Sequence, residues 1–227
     1  MLRLMEYLII FALLFCLEMI YFRIARKYQI VDKPDTRSSH TSVALSGGGI
    51  IFLLMVWIYV AFFGVAWPWF LLGVTLVGLV SFIDDIHPLS DALRLAVQFA
   101  SVFLMFCQFG ILSWHDWWVV AIALTVSVGI LNAYNFMDGI NGYSLAVLAP
   151  LIYLNHALGF MPQSFLYVVG LGVLVFCYFN FRKKARCFAG DVGSITMAFI
   201  IVFALGNLII RTGDFAYVVF LAVYGAD

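Results

Sequence analysis

Apolar runs long enough to cross a bilayer recur along this chain, and they constrain its fold more than any other feature. They fall near 4–22, 48–65, 67–83, 93–112, 117–134, 143–160, 164–181 and 193–210. A further run begins at Phe215 and reaches only to Asp227. A helix needs roughly 20 such residues to cross the hydrocarbon core. Of the 227 residues, 65% are hydrophobic and 11% charged, a balance that no water-soluble fold can bury. Inside lipid the backbone finds partners only within its own helix. The sequence therefore predicts an all-α, polytopic transmembrane helix bundle of about eight complete spans plus a truncated ninth. Residues 1–227 read as a single transmembrane domain that ends partway through its architecture.

Charge distribution orients the bundle. Net charge is zero, which gives no pull toward nucleic acid. Alternate loops divide the basic residues unevenly. Arg23, Arg26, Lys27, Lys33, Arg37, Arg94, Arg182, Lys183, Lys184 and Arg186 fall on one side, and only Arg3 and Arg211 on the other. The positive-inside rule makes the first side cytoplasmic and leaves the N-terminus outside. Asp32, Asp35, Asp84, Asp85, Asp91, Asp138, Asp191 and Asp227 gather on that same side. Aspartate does not follow the positive-inside rule, so this clustering needs another cause, and ionisable groups near membrane depth point to function. Glu18 lies within the first span and receives no role. Cys16, Cys107, Cys177 and Cys187 lack metal-ligand spacing and read as small packing residues.

Four polar segments on that side carry candidate chemistry. The first runs from Val31 through Asp32, Arg37 and His40 to Gly47-Gly48-Gly49, which opens a helix. A glycine-rich turn with free N–H groups at a helix start suits an anion; its plainer reading is a basic loop entering the second span. The second is Ser81-Phe82-Ile83-Asp84-Asp85-Ile86, with Arg94 ten residues beyond Asp84. Two adjacent carboxylates at a helix C-terminus repel each other and oppose the helix dipole, so a magnesium ion or a cationic side chain should compensate them. A solvated turn is the alternative. The third contains Asn132, Asn135 and Asp138 at intervals of three, sharing roughly one helical face. Their amide and carboxylate oxygens suit a nucleotide or magnesium, or else hydrogen bonds between helices. The fourth is Gly190-Asp191-Val192-Gly193-Ser194, where Asp191 at a helix N-terminus stays ionised and can hold a cation; its plainer reading is a helix cap by Asp191 or Ser194.

Asp84-Asp85, the run from Asn132 and Asn135 through Phe136-Met137-Asp138-Gly139, and Gly190-Asp191 with Gly193-Ser194 stand in an order and spacing that resembles the polyprenyl-phosphate N-acetylhexosamine-1-phosphate transferase family. That family includes the undecaprenyl-phosphate N-acetylglucosamine-1-phosphate transferases and the phospho-N-acetylmuramoyl-pentapeptide transferase. The resemblance implies a cytoplasmic active site in a bacterial inner membrane, with magnesium, or manganese in its place, as cofactor. It implies a UDP-N-acetylhexosamine donor and undecaprenyl phosphate as acceptor, and it leaves a homodimer open. By position, Asp191 matches the principal magnesium-binding aspartate and Asn135 a second metal or nucleotide ligand. Asn132, Asp138, Gly190 and His40 match substrate-binding positions. Asp84 and Asp85 match the catalytic pair near the lipid phosphate, without a choice between them. The chain departs from the family at Leu45-Ser46, where many members carry Pro-Arg, and at Asn141, where many carry aspartate. The family's later histidine-containing loop would lie beyond Asp227.

Three other readings compete. A CDP-alcohol phosphotransferase would need Ala-Arg after its Asp-Gly, whereas Ile140-Asn141-Gly142 follows Asp138-Gly139. A cation transporter would place its ligands at broken helices near the midplane, not at helix ends on one side. A catalytically incomplete membrane remnant is the third.

Overall fold

The computed structural model describes residues 2–32, 44–112, 115–136, 143–181 and 185–224. His40, Asp138, Gly139, Asn141, Asp227 and the basic run Arg182-Lys183-Lys184 lie outside them. The predicted apolar runs appear in order as α1 (Leu2–Lys27), α2 (Ile50–Phe63), α3 (Pro68–Ile86), α4 (Asp91–Phe109), α5 (Trp117–Phe136), α6 (Tyr143–Leu158), α7 (Gln163–Asn180) and α8 (Gly190–Thr212). Six of these are long and apolar enough to cross a membrane, and α2 and α6 are shorter apolar helices. The run after Phe215 winds as a 3-10 segment, Phe215–Tyr224, rather than opening an α-helix.

Local sequence sets the helix boundaries. Pro68 occupies the first turn of α3, where its missing N–H costs nothing. The Ser90 hydroxyl accepts from Leu93 N and starts α4. Gly110 and Gly213 end α4 and α8 in the left-handed conformation.

The central element is α8, packed against α2, α3, α4, α5 and α6. Every residue from Ile195 to Leu205 is buried and all but Thr196 are apolar, as in a helix surrounded by other helices. α7 joins α1, α2 and α6 into the second layer. The two ends of the bundle pack differently. Toward the start of α3 and the later turns of α8, aromatic rings fill the core: Phe70 stacks on Phe203 at 4.0 Å between centroids, and Phe109 on Phe203 at 5.4 Å. At the other end small residues dominate. Gly48 N donates to Phe188 O and Gly49 N to Ala189 O, at 2.9 and 3.0 Å. A Cβ on Gly49 would overlap Gly193 Cα and lie 2.6 Å from Ala189 O. The glycine turn therefore serves close approach between the starts of α2 and α8. The expected anion site of free N–H groups is corrected for Gly48 and Gly49, whose amides are engaged by backbone carbonyls.

A short antiparallel pair, β1 (Val31–Asp32) with β2 (Ala44–Leu45), clips together the two ends of the basic loop. Leu45 also bridges to Cys187, and Phe188 N donates to Leu45 O at 2.9 Å. Both ends of the segment that contains Arg37 and His40 are thus fixed beside the entry to α8. Glu18 is fully buried in α1, where Cys187 Sγ donates to its Oε1 at 3.7 Å. Burial pushes the Cys187 thiol well above its usual range, so it stays protonated and inert.

Candidate active site

The ends of α3, α4, α5 and α8 meet at the glycine-packed end of the bundle and bring Asp84, Asp85, Arg94, Asn135 and Asp191 together. The adjacent carboxylates at the end of α3 are compensated in two different ways. Asp84 Oδ2 accepts from Arg94 Nη1 at 2.9 Å, and its Oδ1 accepts from Leu89 N at 2.6 Å. The same Nη1 reaches Asp191 Oδ2 at 3.2 Å, while Nη2 pairs with Asp91 at 2.5 Å. One guanidinium nitrogen therefore bridges carboxylates from α3 and α8. Asp85 instead turns both oxygens onto the start of α8, accepting from Asp191 N at 2.8 Å and Val192 N at 3.1 Å. The positive end of the α8 dipole favours that carboxylate, whereas Asp84 at the negative end of α3 needs a side-chain cation.

Backbone form at Gly190 makes this contact. Its φ is +68°, and a Cβ there would lie 2.6 Å from an Asp85 oxygen. Gly190 is therefore held by α3 in the described structure, and Gly193 is covered by Gly49. Ser194 ties the next turn to α5: its hydroxyl donates to Asn135 Oδ1 and lies 3.1 Å from Gly190 O. Asn135 thus stands one hydrogen bond from the helix that carries Asp191.

Asn132 goes elsewhere. Its amide pairs reciprocally with Gln98 of α4, at 2.7 and 3.3 Å, and also donates to Val128 O. The predicted shared face of Asn132 and Asn135 divides between two partner helices, because α5 runs in the groove between α4 and α8. Sequence reasoning missed Gln98, and it named Ser194 as an alternative helix cap without its bond to Asn135. Arg94 and Gln98 are four apart, so they lie on one face of α4, and that spacing was the available signal for Gln98. Asp138 and His40 fall outside the described residues.

Asp84 and Asp191 present carboxylate oxygens to the Arg94 guanidinium, and Asn135 adds an amide oxygen beside the first turn of α8. Among the described residues, no three His, Cys, Asp or Glu side chains are gathered closely enough to hold a metal by themselves. Magnesium is bound through one or two carboxylates and keeps several waters, so these residues fit it, with a cationic group already between two of the carboxylates. Arg94→Gln tests that substitution of one cation for another. In chelator the variant should lose about 1–2 kcal/mol of stability, since Asp84 and Asp191 would face each other uncompensated. Thermal unfolding should show magnesium restoring part of that loss; an equal loss with and without magnesium would mean that metal and guanidinium do not share these carboxylates.

Residues 67–208, which include Asp84, Asp85, Arg94, Asn135 and Asp191, match the model of glycosyl transferase family 4. The chain is 33% identical over 152 residues to a phospho-N-acetylmuramoyl-pentapeptide-transferase of Thermotoga neapolitana, covering 56% of this chain and 48% of that protein. It is 29% identical over 197 residues to the Thermotoga petrophila protein of the same name, covering 76% and 62%. It is 25% identical over 202 residues to an undecaprenyl-phosphate alpha-N-acetylglucosaminyl 1-phosphate transferase of Thermotoga maritima, again covering 76% and 62%. The matches thus span about half to three-fifths of the length of these relatives. With the matched region running from the start of α3 nearly to the end of α8, this multi-pass membrane chain belongs to glycosyl transferase family 4, the polyprenyl-phosphate N-acetylhexosamine-1-phosphate transferases.

Proposed function

We propose that this chain transfers N-acetylhexosamine-1-phosphate from a UDP-sugar to undecaprenyl phosphate at the cytoplasmic face of a bacterial inner membrane. UMP is released, and the lipid-linked sugar initiates a cell-surface glycan such as O-antigen, capsule or wall polymer. The observation that carries the reading is the meeting of Asp84, Asp191 and Arg94 beside Asn135 at the basic end of the bundle. An acceptor phosphate oxygen forms a bond to the phosphorus attached to the sugar, and the bond from that phosphorus to the UMP oxygen breaks. Such chemistry depends chiefly on positioning and on neutralising charge.

Both substrates are anionic, so bare carboxylates would repel them. A magnesium or manganese ion held by Asp191, with Asn135 as second ligand, would supply the Lewis acidity and reverse the local sign. Arg94 contributes fixed positive charge on α4. Asp138, Gly190, Asn132 and His40 complete the substrate-binding set that the family resemblance implies. Of the catalytic pair, Asp84 is the one tied to the Asp191 side chain, through the shared Arg94 guanidinium, which supports it as the carboxylate nearer the reacting phosphates; both oxygens of Asp85 lie instead on the α8 backbone. A phosphate monoester is already partly dianionic near neutral pH, so the reaction does not need a strong base.

Membranes containing the protein, supplied with UDP-N-acetylglucosamine, undecaprenyl phosphate and magnesium, should release UMP and form a lipid-linked sugar phosphate. UDP-N-acetylgalactosamine in a parallel reaction reads sugar preference. UMP formation that is indifferent to undecaprenyl phosphate would sink the proposal.

A further inference from the structure

Asp85 is the carboxylate that the proposed chemistry leaves without a substrate. Its surroundings define another task. α8 begins at Gly190 after Ala189, and neither residue offers a side-chain cap. A helix start leaves several backbone N–H groups without intrahelical partners. Here Asp85, more than a hundred residues earlier in the chain, accepts from two consecutive ones, Asp191 N and Val192 N. Gly190 makes room, with a positive φ and no Cβ where the carboxylate lies. The other supports of this turn come from different helices: Ser194 bonds Asn135 of α5, and Gly49 of α2 closes on Gly193.

We infer that Asp85 is a positioning residue, a helix cap supplied from α3 that fixes the backbone of Asp191 and so aims its carboxylate. Asp85 acts through Asp191 and touches neither substrate. The pair Asp84-Asp85 then divides its work, since adjacent residues on the last turn of α3 point to different partners. Asp84 shares Arg94 with the Asp191 side chain, and Asp85 holds the Asp191 main chain. Together they fix the α8 aspartate by both its ends.

The inference rests on the proposed transfer reaction, and its test includes readouts that do not need turnover. Purified wild-type protein, Asp85→Asn and Asp85→Ala are compared by amide hydrogen exchange over residues 190–193, by manganese binding followed by electron paramagnetic resonance, and by steady-state kinetics. Asparagine retains one carbonyl oxygen that can accept from the α8 backbone; alanine retains none. Loss of the cap in Asp85→Ala should speed exchange of the Asp191 and Val192 amides about tenfold and weaken manganese binding by a similar factor. Asp85→Asn should lie between alanine and wild type in both measurements and keep more turnover than alanine. The KM for undecaprenyl phosphate should be the same in all three, because kcat alone carries the effect.

A general base or a lipid-phosphate contact predicts otherwise. Asparagine would then be as inactive as alanine, with wild-type exchange over residues 190–193, and that result overturns the inference. A raised KM for the lipid phosphate in Asp85→Asn overturns it as well. If wild-type protein shows no transfer at all, the proposed function fails, while exchange and manganese binding still decide whether Asp85 caps α8. Should the alanine variant not accumulate, wild type against Asp85→Asn decides by the same exchange and KM criteria.

Discussion

Asp191→Asn is expected to reduce UMP release by on the order of 10²–10³ or more while the protein still inserts and folds. The substitution keeps the size of the side chain and changes only one oxygen to an amide nitrogen. The backbone of residue 191 keeps its bond to Asp85, because that contact uses the main-chain N–H. What changes is the negative charge paired with Arg94 at 3.2 Å and the carboxylate proposed to hold the metal. Thermal unfolding and gel filtration should therefore resemble wild type, and manganese binding should fall along with turnover. A variant with normal activity would remove the metal from Asp191 and with it the proposed arrangement.

Gly49→Ala is expected to give the largest loss of stability, about 3 kcal/mol or more. The added methyl would meet the Gly193 backbone and Ala189 O. Those neighbours are main-chain atoms at the start of α8, so no side-chain rotation can relieve the contact. Separation of α2 from α8 would also lengthen the bonds from Gly48 and Gly49 to Phe188 O and Ala189 O. Gly129→Ala is the matched control. It lies within α5 with nothing within 4 Å of the added Cβ, and it should be neutral or stabilising by up to about 1 kcal/mol. Unfolding temperatures in one detergent compare the two. Equal stability of Gly49→Ala and wild type would refute the close crossing of α2 and α8.

Much of the site was legible because its parts are local. Asp84-Asp85 ends an apolar helix and Asp191 begins one, and both placements follow from where hydrophobicity stops. The need for a cation near Asp84 also followed from the sequence, and Arg94 was visible ten residues away. The partners were harder to see. Asn132 and Asn135 have identical side chains on the same helix, yet one meets Gln98 and the other Ser194. Only the crossing of α5 between α4 and α8 separates them. Gly47-Gly48-Gly49 misled for a related reason: a glycine turn at a helix start has the same appearance whether its N–H groups await an anion or meet a neighbouring backbone.

The sequence by itself determined that this chain lives in lipid, how many apolar segments it has, and which ends of them share a side. These properties depend on the transfer of short stretches between water and hydrocarbon, and each stretch carries its own answer. Tertiary structure alone decided that Arg94 also reaches Asp191 while Asp85 caps α8, and that Gly49 makes room for Gly193. Those outcomes depend on the approach of helices that are about a hundred residues or more apart in the chain, to within hydrogen-bonding distance. A carboxylate's task is fixed by the group placed opposite it, and packing around α8 supplies that group.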